Sequence, residues 1–570
     1  MIILGIGNLH HDPAACLLVD GKLVAASEEE RFSRNKHAFG EYPLNAIRFC
    51  LEKAGLKPED VQAAAHPSSP EAYDRHKWNY LRRSLFSRPS QALKAVIKAD
   101  SRKKNFLETP RKVLKAAGFR EDLPLHAIEH HAAHAASAFY FSGFPDAAFL
   151  TMDGSGEFTA TMLGAFDRQG KMRMIREFIV PDSLGFFYAT MTDYLGFEHD
   201  DGEYKVMGMA PYGDPSRFSV DDFIRYENKK YRVNDRYIYA VRRQRYQQDK
   251  WFSKAMVDRY GKPREGDALS EPYIHIAAAT QKKLEDITLQ LIDDYLGEAL
   301  EASGGRLCFA GGCALNVKLN QRLIAHPAVK ELWVQPASSD AGLPLGAAAM
   351  IAHGAGDKIE PMRHAYYGPE YSDAEIEAVL KKTSYPFRRE TSITETASKL
   401  LHEGHIVGWF QGRMEWGPRA LGNRSILGNP TVKGTADRIN EIIKFRENWR
   451  PFCPSVLEEC GREVLETEHD SPFMTFCFNV RENWKARVPE IVHVDGTARP
   501  QYVSREHNAR FHELITRFRE KSGVPLVINT SLNRRGEPMI CSPEDALKMF
   551  EGSGLPYMAI GNFLVSKQAI

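Results

Sequence analysis

His130 and His134 stand four residues apart in the alanine-rich run Glu129 to Ala138, EHHAAHAASA. On a helix they share one face, one turn from each other, while His131 points elsewhere. Two imidazoles placed in this way can share a metal ion, and the same short pattern also arises in core helices that bind nothing. The apolar bridge FYFSGF leads to a strand at Ala147 to Met152, which breaks at Asp153-Gly154-Ser155-Gly156-Glu157. The N–H groups of such a loop can approach a phosphate, which moves the balance toward a site.

Two further loops have the same character. Leu307 to Ala310 reads as a short strand that ends in Gly311-Gly312-Cys313-Ala314-Leu315-Asn316, with helical sequence behind it. Strand–Gly-Gly–helix lets a backbone pack closely on a nucleotide. Asp340 lies in SSDAGLPLG just before a helix at Ala347 to Ala352, where an Asp ordinarily caps the helix or makes a turn.

A different chemistry stands farther along. Trp416-Gly417-Pro418-Arg419-Ala420-Leu421-Gly422-Asn423-Arg424 precedes Asn440, Lys444, Arg446 and Arg450. Cations this close can grip a small dianion by several charge-assisted hydrogen bonds, although a solvated basic face would look similar. Arg499 and the turn Asn529 to Asn533 add further anion-binding groups.

The elements that must position these residues show a duplication. Met1 to Glu28 reads as strand, polar loop, strand, Asp20-Gly21-Lys22 turn and strand, and Phe149 to Phe178 repeats that order with a turn at Gln169-Gly170-Lys171. Two similar α/β halves are expected. Gly354 to Pro369 interrupts the helical periodicity, so a first domain at 1–360 and a second at 361–570 are expected. The second should contain a helix at Asp373 to Lys382, strands at Ile406 to Phe410 and Leu526 to Ile528, and a last strand at Met558 to Val565.

Bulk properties exclude several classes. Net charge is +1, which argues against nucleic acid or a membrane as partner, and no apolar run approaches the ~20 residues of a membrane span. The N-terminus reads as a strand rather than a signal peptide, so a cytoplasmic protein is expected. The eight cysteines contain no C-x-x-C, as buried reduced thiols would. Arg75 to Lys115 carries 13 Lys or Arg against Asp100 and Glu108, either as a solvated face or as a surface admitting an anionic acceptor.

In order along the chain, NLHHDPAA, EEERFSRNKH, HHAAHAASA, MDGSGE, GGCALN, SSDAGLPLGAA, WGPRALGNRSIL, KFRENWRPF and NTSLNRRGEP resemble the O-carbamoyltransferases of antibiotic and nodulation-factor biosynthesis. The resemblance implies an α/β protein. Its N-terminal domain would be duplicated and actin/sugar-kinase-like, similar to threonylcarbamoyl transferase, and its C-terminal α/β domain YrdC-like. It implies a two-step enzyme that makes carbamoyl adenylate from carbamoyl phosphate and ATP, with Mg2+ accompanying the ATP, and then moves the carbamoyl group to a hydroxyl of a small natural-product acceptor.

By matching motif positions, Lys444, Arg450, Arg499 and Asn529 would bind carbamoyl phosphate, with Arg419 and Arg446 beside them. His130, His134, Asp153 and Asp340 would hold a divalent metal, Fe2+ in this family. Gly154, Ser155, Gly156, Lys205, Gly208, Gly311, Gly312 and Asn316 would touch the nucleotide. His11 would act as general base at the acceptor, with His10 as its rival, and Lys36 would stabilise the oxyanion. The polar segment Ser216 to Gly266 offers no recognisable acceptor contacts. The competing readings are a tRNA threonylcarbamoyl-transferase-like enzyme, which predicts broad basic faces, and a nucleotide-switched actin-type binding protein, which has no use for the cluster at Lys444. A monomer or homodimer is expected.

Overall fold

A computed structural model describes residues 1–7 and 11–568, which separate into two compact units. The first comprises residues 1–8, 14–23 and 42–361, and the second residues 9–13, 24–41 and 362–570.

The first unit is built twice on one plan. The apolar runs Ile2–Ile6 and Ala14–Val19 pair antiparallel, and Ile2–Ile6 also runs parallel to Ala63–His66, which in turn runs parallel to Leu125–Ala127. In the second half Ala147–Met152 pairs antiparallel with Thr159–Phe166, and that strand with Met172–Ile179. On its other side Ala147–Met152 runs parallel to Arg306–Ala310, and that strand to Glu331–Val334. Each half therefore has an antiparallel meander on one side of its first strand and parallel strands on the other.

Two helices of small residues lie at the centre of this unit, His130–Ser142 and Leu343–Gly354. They approach so closely that a Cβ on Gly346 would stand 1.7 Å from the carbonyl oxygen of Ala133. Ala65, Ala133, Leu343 and Ala347 form one buried cluster at this contact. The first helix does not stop at Ala138 but runs on through the expected bridge, because Phe139 stacks on Phe166 at 4.2 Å between ring centres. It ends where Gly143 turns left-handed.

The basic stretch forms three helices, Pro70–Ser84, Pro89–Ile97 and Ala99–Ala116. Several of its cations are used within the unit: Arg83 pairs with Asp182, Arg88 with Asp235, and both Lys77 and Lys103 with Asp74.

The second unit is an α/β body around an eight-stranded mixed sheet. Its strands run in the order Phe387–Arg389, Phe563–Ser566, Tyr557–Ile560, Val407–Phe410, Arg424–Gly428, Leu526–Ser531, Cys453–Leu457, Gln501–Val503. The single last strand expected at 558–565 is a hairpin, with Gly561 left-handed at φ 55° and the Asn562 amide nitrogen donating to Asp373 at 2.7 Å.

Residues 24–41 reach this unit through buried polar bonds and apolar packing. Arg31 donates to Glu28 and to the Gly417 carbonyl, both at 3.0 Å, and the Gly417 N–H donates back to Glu28 at 2.9 Å. Arg34 donates to the carbonyls of Pro538 and Met539, and Phe32 packs against Met414, Ala420, Met539 and Cys541. The division therefore differs from a single cut at residue 360 in the stretches 9–13 and 24–41.

Among the described residues no helix is long and apolar enough to cross a membrane. All eight cysteines are free thiols, and only Cys313 is not fully buried.

The Gly346 contact makes a prediction. Gly346→Val must separate the two central helices, a change expected to cost roughly 1–3 kcal/mol or more. Thermal unfolding should show a lowered Tm relative to Gly354→Ala, since a Cβ at Gly354 meets nothing within 4 Å.

Candidate functional site

Helix His130–Ser142 starts at His130 and presents that ring and His134 from the same face. Asp153 ends the strand that follows, and Asp340 opens a single 3₁₀ turn ahead of helix Leu343–Gly354. One ligand atom from each of the four lies within 4.8 Å of the others. Nε2 of His134 is 3.0 Å from Asp153 and 3.6 Å from Asp340, and Nε2 of His130 is 3.5 Å and 3.6 Å from the same carboxylates. Two imidazole nitrogens and two carboxylate oxygens converging in this way suit a divalent first-row ion.

The charges in this cluster are tightly balanced. Burial opposes the protonated form of His134, but bonds to Asp153 and Asp340 outweigh it and push its pKa up to about 9. Burial likewise opposes ionisation of Asp153, while His130 and His134 hold that carboxyl well below its ordinary range. His131 is separate: its Nδ1 meets the Thr151 hydroxyl at 2.8 Å and its Nε2 the Thr159 carbonyl at 3.0 Å. Burial, then the neighbouring His130 and His134, keep it neutral.

The residues expected at a nucleotide have mixed duties, and Gly156 and Gly312 lie against the cluster. A Cβ on Gly156 would meet the Cβ of His130 at 2.5 Å, so glycine there lets the loop lie against the histidine helix. A Cβ on Gly312 would stand 3.1 Å from the Asp153 carboxylate, so glycine there leaves the carboxylate uncovered. Gly154 is packed against Phe186, and Gly311 is left-handed against the Met152 carbonyl. Asn316 is occupied within the protein: it caps helix Val317–Ile324 by accepting from Leu319 N–H and exchanges amide hydrogen bonds with Gln281. Ser155 is half-buried in the loop, and Lys205 and Gly208 lie on helix Glu203–Met209, the Lys205 amine over the Phe197 ring.

In the second unit one face of the sheet gathers the other set. Lys444, 5% exposed, ends a π-helical turn and donates to the Ser531 hydroxyl and to the Asn533 carbonyl, both at 3.1 Å, and to the Asn533 amide oxygen at 2.7 Å. Burial, followed by the charges of Arg446 and Arg450, drives its pKa well below the lysine range, and Lys36 adds to the same field. Asn529 lies two residues before Ser531 on the same strand and thus on the same face. Its amide nitrogen donates to Ala420 O and Ser455 Oγ, leaving its buried Oδ1 without a partner. Cys453 faces Asn529 across the ladder and accepts from Arg499 at 3.0 Å. Arg446 lies over Phe452 and donates to Asn440, whose amide nitrogen is likewise buried and unpartnered. Arg450 pairs with Glu447, and Arg419 directly precedes Ala420 in the loop that Asn529 holds.

Arg424 does not belong to this set. It faces Phe410 in the ladder, lies 3.7 Å over that ring, and spends its guanidinium on the carbonyls of Gln411, Asn423 and Pro369.

His11 and Lys36 also fall in the second unit, while the rival His10 lies outside the described residues. Two neighbours not singled out in the sequence accompany them. Asp12 stands 3.5 Å from His11 and 2.8 Å from His37, and despite burial these two rings hold its carboxyl well below the usual range. Both lie inside the quoted motifs, so the available signal was an acid adjoining His11 and an imidazole adjoining Lys36.

Comparison with known proteins shows the family to which the chain belongs. The family model described as Carbamoyltransferase N-terminus matches residues 2–349, and that described as Carbamoyltransferase C-terminus matches residues 398–567. The chain is 36% identical to an uncharacterized protein of Synechocystis sp., over 100% of this chain and 97% of that protein. It is 35% identical to Nodulation protein NolNO of Sinorhizobium fredii, over 98% of this chain and 79% of the relative. With Nodulation protein U of Bradyrhizobium diazoefficiens it shares 28% identity, over 94% and 92%.

The protonated state of His134 makes metal uptake dependent on pH. At neutral pH a divalent ion should displace about one proton, so affinity should rise about tenfold per pH unit below the His134 value. Calorimetry in buffers of different ionisation enthalpy reads this directly, and uptake without proton release would contradict it.

Proposed function

This chain belongs to the carbamoyltransferase family, and from that membership we propose that it makes carbamoyl adenylate from carbamoyl phosphate and ATP and transfers the carbamoyl group to a hydroxyl of a small natural-product acceptor. One observation carries the reading. Lys444 is buried beside Arg446 and Arg450, and its own hydrogen bonds go to neutral oxygens of Ser531 and Asn533. Like charges crowded away from water disfavour one another unless an anion joins them. Carbamoyl phosphate supplies a compact dianion together with an amide and a carbonyl that can meet uncharged groups.

In this reading Lys444, Arg450 and Arg499 grip the phosphate, with Arg419 and Arg446 beside them, and the unpartnered oxygen of Asn529 faces the same ligand. Activation frees carbamate from carbamoyl phosphate, with water taking the phosphoryl group off as inorganic phosphate, and a carbamate oxygen then bonds to the α-phosphorus of ATP as pyrophosphate leaves. For transfer, His11 takes the proton of the acceptor hydroxyl and Lys36 stabilises the oxyanion that develops on the carbamoyl carbonyl. Gly154 to Gly156, Lys205, Gly208, Gly311 and Gly312 form the nucleotide surface, on which Asn316 acts by shaping the loop. His130, His134, Asp153 and Asp340 would hold a divalent metal, proposed as Fe2+, which when bound supplies positive charge to a phosphate leaving group.

Incubation with ATP and carbamoyl phosphate tests the reading. Pyrophosphate should appear only when carbamoyl phosphate is present, and Lys444→Ala should reduce it by 100-fold or more, taking about 3 kcal/mol as the worth of a buried charged contact. Production of ADP in place of pyrophosphate would reject the proposal. His11→Ala should release pyrophosphate yet fail to carbamoylate alcohols, as followed by mass spectrometry. A parallel loss of both steps would reject the assignment of His11.

A further inference from the structure

Asp12 sits between two imidazoles. Its Oδ1 lies 2.8 Å from Nδ1 of His37 and its Oδ2 3.5 Å from Nδ1 of His11, so both rings turn the same nitrogen toward one carboxylate. A ring that carries its proton on Nδ1 has its accepting lone pair on Nε2.

The main chain is bent to hold this arrangement. Asp12, His37 and Ala38 have φ of 49°, 61° and 42°, a left-handed conformation that non-glycine residues rarely adopt. Such positions are strained and persist only where their surroundings over-determine them. Here the surroundings are visible: Asp12 N–H donates to the His37 carbonyl at 2.9 Å, and His37 N–H donates to Glu30 at 2.7 Å. Asp12 and His37 are therefore joined twice, once by side chains and once through the backbone.

We propose that Asp12 is the positioning carboxylate of the transfer step, orienting His11 as the base, and that His37 is the strut that fixes Asp12. This rests on the reading of His11 as the base. In that step the acceptor O–H bond breaks and its proton goes to Nε2 of His11. The oxygen bonds to the carbamoyl carbon, and the bond from that carbon to the adenylate oxygen breaks, its electron pair leaving on AMP. The proton then passes from His11 to solvent. Water in place of an alcohol follows the same bonds and yields carbamate and AMP. Asp12 sets the Nδ1–H tautomer beforehand and stabilises the imidazolium afterward, a contact that shortens from 3.5 Å when the acceptor is in place.

The test uses the full chain with ATP, carbamoyl phosphate and water as acceptor, reading pyrophosphate and AMP separately across pH. Among the described residues, the charged groups around Asp12 are His11, His37 and Glu30, with Arg31 paired to Glu30. Asp12→Asn should slow AMP formation relative to pyrophosphate by roughly 10²- to 10³-fold. It should also move the acid limb of the AMP profile to lower pH, because the base has lost a carboxylate that favoured its protonated form. His37→Asn, whose amide nitrogen can donate where Nδ1 did, should keep most of the AMP formation that His37→Ala loses. Nitrogen NMR of the same chain needs no substrate, and His11 should shift from the Nδ1–H toward the Nε2–H tautomer in Asp12→Asn. An unmoved acid limb, equal losses in the two His37 variants, or an Nε2–H tautomer of His11 in the unmodified protein would overturn the proposal. Undiminished AMP formation by His11→Ala would instead bring down the reading of the base on which it rests.

Discussion

The approach of Gly346 to the Ala133 carbonyl is the constraint on which the first unit depends. Helix His130–Ser142 brings two imidazoles, and the turn before helix Leu343–Gly354 brings Asp340. Only helices lined by alanine and glycine come near enough for these ligands to meet, and Asp153 joins them from the end of the neighbouring strand. The alanine content of the histidine helix is thus part of the site's chemistry. It sets the helix spacing, the spacing sets the distances between the four side chains, and those distances place His134 against two carboxylates that raise its pKa.

The second unit solves a different problem with the same economy of parts. Lys444 is held by neutral oxygens, while arginines supply a field that disfavours its charge. Such an arrangement is poorly stabilised on its own and would be better stabilised around an anion. The sheet contributes the geometry. Asn529, Ser531 and Cys453 share one face, so the loops carrying Arg419 and Arg499 and the turn carrying Lys444 are all anchored to adjacent rungs. Arg424, one register position out of phase, is turned to the other face and becomes part of the core.

Local patterns in the sequence carried much of this. The repeated strand–loop–strand–turn unit reported the duplicated halves, because hydrophobic runs and Asp-Gly or Gln-Gly turns are short-range signals. Helical spacing separated His131 from its two neighbours. What was not legible depends on distant contacts or on fine register. No local pattern says that residues 24–41 join the second unit, since that follows from Arg31 reaching Gly417 and Phe32 reaching Met539. The pairing of Asp12 with His37 depends on left-handed backbone at both ends, which composition does not announce. The extension of the histidine helix to Ser142 was hidden because aromatic residues there looked like a bridge, until Phe166 supplied their partner. The hairpin at Gly561 was hidden because its two strands are apolar on both sides of a two-residue turn.

The central claim is that carbamoyl phosphate is activated as an adenylate on the Lys444 face. Isotope exchange between labelled pyrophosphate and ATP tests it most directly, because the label enters ATP only if an enzyme-bound adenylate forms and reverses. The account predicts exchange that requires carbamoyl phosphate and disappears in Lys444→Ala. Exchange without carbamoyl phosphate, or none while the protein still carbamoylates an alcohol, would contradict it.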